Sequence, residues 1–93
     1  SRTVRVGGNS VSLTGTEFRL LRALLASAGF LVSLESLSPE VLGRRHSAFD
    51  RSLGVHLSNL RRKLGPYPDG TERIRTVRGE GYVLVYPEPE GRG

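Results

Sequence analysis

The sequence predicts an α+β domain: a β-hairpin, three helices and a second β-hairpin, in that order along 93 residues. Three observations carry this. Apolar and polar residues alternate near both ends, as half-buried strands require. Between the ends, apolar residues recur every three or four positions, as amphipathic helices require. The most basic helix, over about 48–64, is followed at once by a basic hairpin over about 74–85.

Thr3-Val-Arg-Val6 and Ser10-Val-Ser-Leu13 alternate around Gly7-Gly8-Asn9 and read as a hairpin. Two strands alone are marginal in water, so this pair must lean on a helix. Thr14-Gly-Thr-Glu17 starts one, because a threonine followed three residues later by glutamate is a capping box. Phe18, Leu21, Leu24 and Leu25 carry that helix to Ala28-Gly29, and Phe30-Leu-Val32 reads as a short apolar connector. Ser33 caps a second helix through Leu34, Leu37, Val41 and Leu42. Pro39 interrupts it, so a kink is expected, or a fresh start with Ser38 as cap. Gly43-Arg-Arg-His-Ser47 forms the loop to the third helix, which should begin between Ser47 and Asp50 and stop at Gly65-Pro66. Arg73-Ile-Arg-Thr-Val77 and Tyr82-Val-Leu-Val85 flank Arg78-Gly-Glu-Gly81, a hairpin with an arginine at its tip. The order is that of a winged helix-turn-helix variant. Residues 1–86 form the domain, and Pro87 to Gly93, without apolar periodicity, reads as a flexible tail. The chain opens at Ser1 directly in strand-like sequence, so it is expected to be a fragment whose missing part is N-terminal.

At about 100° per residue, Leu53, Leu57, Leu60 and Leu64 fall within roughly a 60° arc, the buried stripe of the third helix. Arg51, Ser52, Val55, Ser58, Asn59 and Arg62 project from the far side: cations, short hydroxyls and an amide with almost no acid among them. Solvated faces usually mix both signs of charge. From Arg44 to Arg78 there are instead nine Lys or Arg against Asp50, Asp69 and Glu72, a net +6. Such a surface suits a polyanion with readable hydrogen-bonding edges, which is DNA.

Composition excludes much else. The length allows one domain. With no cysteine there is neither a disulfide framework nor a thiolate metal site, which agrees with a cytoplasmic protein, and no apolar run is long enough to span a bilayer. His46 and His56 lack a third ligand at metal spacing, so neither a metal nor another cofactor is expected. Asp50, His56 and Ser58 could be lifted out as a catalytic set, but nothing resembling an oxyanion hole accompanies them, and an enzyme is not expected. Gly79-Glu-Gly81 is better explained by a tight hairpin turn than by a nucleotide loop, and Tyr82 by the core under the wing. Two alternatives share part of the pattern. An RNA-binding module should show aromatics clustered on an exposed sheet, and a protein-interaction winged helix should lack the uniformly basic helix face.

Four motifs resemble the C-terminal DNA-binding effector domain of OmpR/PhoB-family two-component response regulators. They are Leu13-Thr-Gly-Thr-Glu-Phe-Arg-Leu-Leu21, Val32-Ser-Leu-Glu-Ser-Leu37, Asp50-Arg-Ser-Leu with His56-Leu-Ser-Asn-Leu-Arg-Arg-Lys-Leu64, and Ile74-Arg-Thr-Val-Arg-Gly-Glu-Gly-Tyr82. Glu40-Val-Leu-Gly43, Phe49-Asp-Arg51 and Ser58-Asn-Leu-Arg-Arg62 are most similar to the CpxR-like branch. The resemblance implies a third helix in the major groove and a wing at the minor groove of double-stranded DNA. Carried over by position, Asn59 and Arg78 would meet bases, and Arg51, Ser52, His56, Ser58, Arg62 and Thr76 the backbone or nearby bases. Leu42, Gly43, Arg44, Arg45 and His46 would form a contact loop for RNA polymerase. It further implies an upstream receiver domain, a monomeric isolated domain and direct-repeat half-sites. Gly15 stands where the family usually has proline, and Gly54 where it often has an acid.

Overall fold

The computed structural model describes residues 2–86; the expected tail, 87–93, lies outside them. β1 (Arg2–Val6) and β2 (Asn9–Leu13) pair antiparallel with Val4 opposite Val11. Gly7 and Gly8 turn the hairpin at φ of 56° and 87°, the consecutive left-handed conformations that match the twist of the flanking strands.

α1 (Gly15–Ala26) starts with the expected capping box: Glu17 N–H donates to Thr14 Oγ1 at 3.1 Å, and Thr14 N–H donates to Glu17 Oε1 at 3.0 Å. Leu21 and Leu24 are buried as expected, but Leu25 is 54% exposed and Leu20, at 0%, takes its place. Leu25 lies about 100° round the helix from Leu24, beyond the edge of the stripe.

The expected connector at Phe30-Leu-Val32 is instead a strand, β3 (Leu31–Ser33). It pairs with β5 (Gly81–Leu84), which also pairs with β4 (Ile74–Val77), so the C-terminal hairpin belongs to a three-stranded sheet of order β3-β5-β4. Three residues are too few to show a period, and only the partner strand reveals them. Gly81 sits at the tightest point of this sheet: a Cβ there would lie 2.0 Å from the Val32 carbonyl oxygen and 2.9 Å from Ser33 Cα. Its glycine answers a close backbone approach, whereas Gly79, at φ 74°, supplies the turn.

α2 (Leu34–Leu37) is capped by Ser33, whose Oγ accepts from Ser36 N–H. It runs straight into a π-helical turn, Ser38–Leu42. Ser38 does not act as a cap for a fresh start: it is helical and its N–H donates to the Leu34 carbonyl, with Pro39 in the first turn of the π-helical segment. The widened turn makes room for the Pro39 ring and absorbs its missing donor.

α3 (Ser52–Leu64) begins later than the expected Ser47 to Asp50. Those residues are held in a turn, with Asp50 N–H on the Ser47 carbonyl, and Asp50 Oδ1 accepts from Ser52 N–H at 3.0 Å. Asp50 thus caps the helix from outside it. Leu53, Leu57, Leu60 and Leu64 are all buried and meet Leu13, Leu20, Leu24, Leu37 and Ile74 in one core.

Two polar ties fix α3 from either flank. Lys63 Nζ donates to Glu17 Oε1 at 2.6 Å, joining α3 to α1. Burial raises the Glu17 pKa, but the bonds from Lys63 and Thr14 outweigh it and leave the carboxyl below its usual range. On the other flank, the Arg61 guanidinium donates to the Ile74 carbonyl at 2.9 Å and to Thr76 Oγ1, joining α3 to β4. Beyond α3, Arg73 lies 4.4 Å from the Tyr67 ring centroid and donates to the Gly65 carbonyl, folding the loop back onto the helix end.

Candidate nucleic-acid interface

The exposed side of α3 follows from its buried side. With the four leucines inward, Arg51, Val55, Ser58 and Arg62 face directly away from the core and all are exposed. Asn59 is half-buried beside them. An open cleft of about 810 Å³ separates this face from the wing, lined among others by Arg51, Gly54, Val55, Ser58, Asn59, Gly79 and Tyr82. Tyr82 is buried, as expected, and floors the cleft.

The predicted residues do not all share this surface. Arg51 sits just before α3 and Ser52 opens it. His56 is half-buried and falls on the flank toward α1, the side from which Lys63 reaches Glu17. Thr76 is exposed on β4, with its hydroxyl engaged by Arg61. Arg78 is exposed in the turn between β4 and β5, next to Gly79 at the cleft.

The loop ahead of α3 is closed by a clip. Arg44 donates to Asp50 through Nε at 2.7 Å and Nη2 at 3.1 Å, and to Ser52 Oγ at 2.9 Å. The Arg44 bond and the Ser52 N–H hold the Asp50 carboxyl well below the usual carboxylate range, so the clip stays charged. Leu42 is half-buried, Gly43 and Arg45 are exposed, and His46 is half-buried with Nδ1 3.5 Å from the buried Ser38 Oγ. His46 also lines the cleft, so the predicted contact loop borders the same hollow as α3.

Sequence counting treated the cations of this segment alike, and the structure separates them. Arg44, Arg61, Lys63 and Arg73 are bound to other groups of the chain. Arg75 points to the sheet face opposite Ile74 and Thr76, away from α3. Among the described residues this leaves Arg45, Arg51, Arg62 and Arg78 free for an outside polyanion, Arg62 touching only the neutral Asn59 amide. The signal for Arg61 was angular: it lies about 80° from Arg51 around the helix, toward the wing.

A family profile described as transcriptional regulatory protein, C terminal, matches residues 8–84. The chain belongs to this family. Its members are DNA-binding domains of transcriptional regulators and not enzymes, in keeping with the OmpR/PhoB resemblance. CpxR of Escherichia coli (strain K12) is 51% identical over 78 residues, covering 84% of this chain and 34% of the relative. The response regulator PmrA of Pseudomonas aeruginosa is 37% identical over 86 residues, 92% of this chain and 37% of the relative. The chain therefore spans about a third of the curated relatives it matches. Among solved structures, the DNA-binding domain of Escherichia coli CpxR superposes with a TM-score of 0.80 at 42% identity, covering 91% of this chain and 97% of that one. The Klebsiella pneumoniae RstA DNA-binding domain, in complex with its RstA box, superposes at 0.79 and 34% identity over 90% of this chain and 83% of that one. The winged-helix fold is shared with both. In this member of the family, Asp50 is held by Arg44 and Ser52, and His56 lies on the α1-facing flank.

Proposed function

We propose that this chain is the sequence-specific DNA-binding output domain of a cytoplasmic two-component response regulator. The observation that carries the reading is the exposed arc of α3, bare of acids and centred on Arg51, Val55, Ser58 and Arg62, beside a wing tip bearing Arg78. α3 enters the major groove, Asn59 contacts base edges, and Arg51, Ser52, Ser58 and Arg62 contact the backbone or nearby bases. His56 reaches a phosphate from the flank. Arg78 enters the adjacent minor groove, where an arginine reads width and negative potential, and Thr76 supports it. Leu42, Gly43, Arg44, Arg45 and His46 form the surface offered to RNA polymerase. An upstream receiver domain pairs two copies, so the isolated domain is monomeric and gains affinity from direct-repeat half-sites about one helical turn apart.

The test is a titration of the isolated chain with duplexes enriched from a random pool, presented as one or two half-sites, with RNA of the same sequence as competitor. Duplex binding that RNA does not displace and that tightens on paired half-sites is expected. Preferential displacement by RNA, or no binding to either nucleic acid, overturns the proposal.

A further inference from the structure

We infer that Asn59 and Arg62 read DNA as one unit, and that this unit selects guanine over adenine at one position of the half-site. The inference rests on the DNA-binding reading above and goes beyond it by naming the base and the device that chooses it.

The two residues are three apart on α3 and therefore neighbours on its surface. Arg62 Nη2 donates to Asn59 Oδ1 at 2.8 Å. An unencumbered asparagine reads adenine with both ends of its amide, Nδ2 donating to N7 and Oδ1 accepting from the N6 amino group. Here the accepting end already faces a guanidinium, so an amino group brought to the same oxygen meets a positive charge in its place. What remains to face outward is the Asn59 amino group and the other guanidinium N–H groups, an array of donors alone. Guanine is the base that answers with two adjacent acceptors, N7 and O6. Adenine places a donor where guanine has O6, cytosine presents a donor, and thymine offers one acceptor beside a methyl group.

A phosphate is also an array of acceptors, and a second observation separates the two. Val55, one turn before Asn59 on the same arc, is 57% exposed. An apolar side chain at the centre of a polar face gains by facing the apolar parts of base edges and gains nothing from phosphate oxygens. The part of the face around Val55, beside which Asn59 and Arg62 meet, therefore lies over the groove floor.

The test starts from a half-site enriched from a random duplex pool by the chain itself. Each guanine is then replaced in turn by adenine, by 7-deazaguanine, which lacks N7, and by inosine, which keeps N7 and O6. At one position adenine and 7-deazaguanine should each weaken binding roughly tenfold or more, while inosine should not. Arg62→Met keeps the aliphatic stem and frees Asn59 Oδ1; it should weaken every duplex and also bring the guanine-to-adenine ratio at that position to about parity. Arg62→Lys, which keeps the charge but not the fork, should collapse the ratio with a smaller general loss. Circular dichroism and thermal unfolding of both variants establish that α3 is intact. A ratio unchanged in both variants would assign Arg62 to phosphate and overturn the coupling, as would a half-site with no such guanine. Failure to enrich any duplex would overturn the DNA-binding reading itself.

Discussion

The dependence of DNA affinity on salt separates a charge count from a structural count. Neutralising Z phosphates lowers log K against log salt with a slope of about −0.9Z on duplex DNA. All nine cations between Arg44 and Arg78 would give a slope near −8. A reading from the sequence, allowing roughly five to seven contacts, gives about −5 to −6. Arg45, Arg51, Arg62 and Arg78 are the ones on the DNA side not bound to charged or backbone groups of the chain, an upper limit of four contacts, which gives a slope no steeper than about −4. Over a fourfold rise in salt the difference is large: about a hundredfold loss of affinity for four contacts, against a factor on the order of 10⁵ for nine. Fluorescence anisotropy of a labelled duplex, titrated at several salt concentrations between roughly 0.05 and 0.3 M, reads the slope directly. Arg61→Ala and Lys63→Ala should leave it unchanged, and Arg51→Ala, which removes an exposed cation placed at the backbone, should flatten it by about one. A flat response would end the phosphate-neutralisation argument, and a slope steeper than about −6 would show that the internally bonded cations also reach DNA.

Three further outcomes follow from the packing. Gly81→Ala forces β3 away from β5, where Leu31, Val32 and Ser33 pair with Val83, Tyr82 and Gly81, and should lower stability by about 2–4 kcal/mol in urea unfolding; a change below about 0.5 kcal/mol would contradict the close approach. Gly54→Ala meets only the Tyr82 hydroxyl, at an ordinary 3.8 Å, and should stabilise α3 by about 0.5–1 kcal/mol in the same assay; destabilisation would mean the glycine is needed. Lys63→Met should cost about 1–2 kcal/mol at neutral pH by stranding the buried Glu17 carboxylate. Because the native Glu17 pKa is lowered, its contribution is present above the unfolded carboxylate range and fades as pH falls through the folded value, so the loss in Lys63→Met should shrink in acid; a pH-independent loss would count against it.

The sequence spoke most clearly where a local rule and the global packing agree. Thr14 and Glu17 announced α1 because both halves of a capping box are local, and Leu53, Leu57, Leu60 and Leu64 announced the buried stripe of α3 because each lies one turn from the next. β3 was hidden because its meaning depends on β5, some fifty residues away in the chain. The start of α3 was misplaced because Asp50 acts as its cap from a turn that Arg44 holds, a three-residue arrangement with no sequence signature. In the site, the exposed arc was legible from helix angles, whereas the partners of Arg61 and Lys63 were not, since a cation on a helix flank reads the same whether it faces solvent or a carbonyl.

The two flank ties give the central arc of α3 a particular freedom. Lys63 binds Glu17 on one side and Arg61 binds β4 on the other, while four leucines anchor the buried face. The position and rotation of the helix are thus set without any help from Arg51, Val55, Ser58, Asn59 or Arg62. Substitutions along that arc change what the helix presents to a groove while leaving where the helix sits nearly untouched, because none of these side chains packs into the core. Changing a flank cation has the opposite effect: it leaves the displayed surface alone but loosens its placement, against α1 for Lys63 and against the wing for Arg61, so base contacts that depend on sub-ångström geometry weaken together while the number of phosphate contacts is kept. Base preference and docking geometry are therefore carried by separate residues of one thirteen-residue helix.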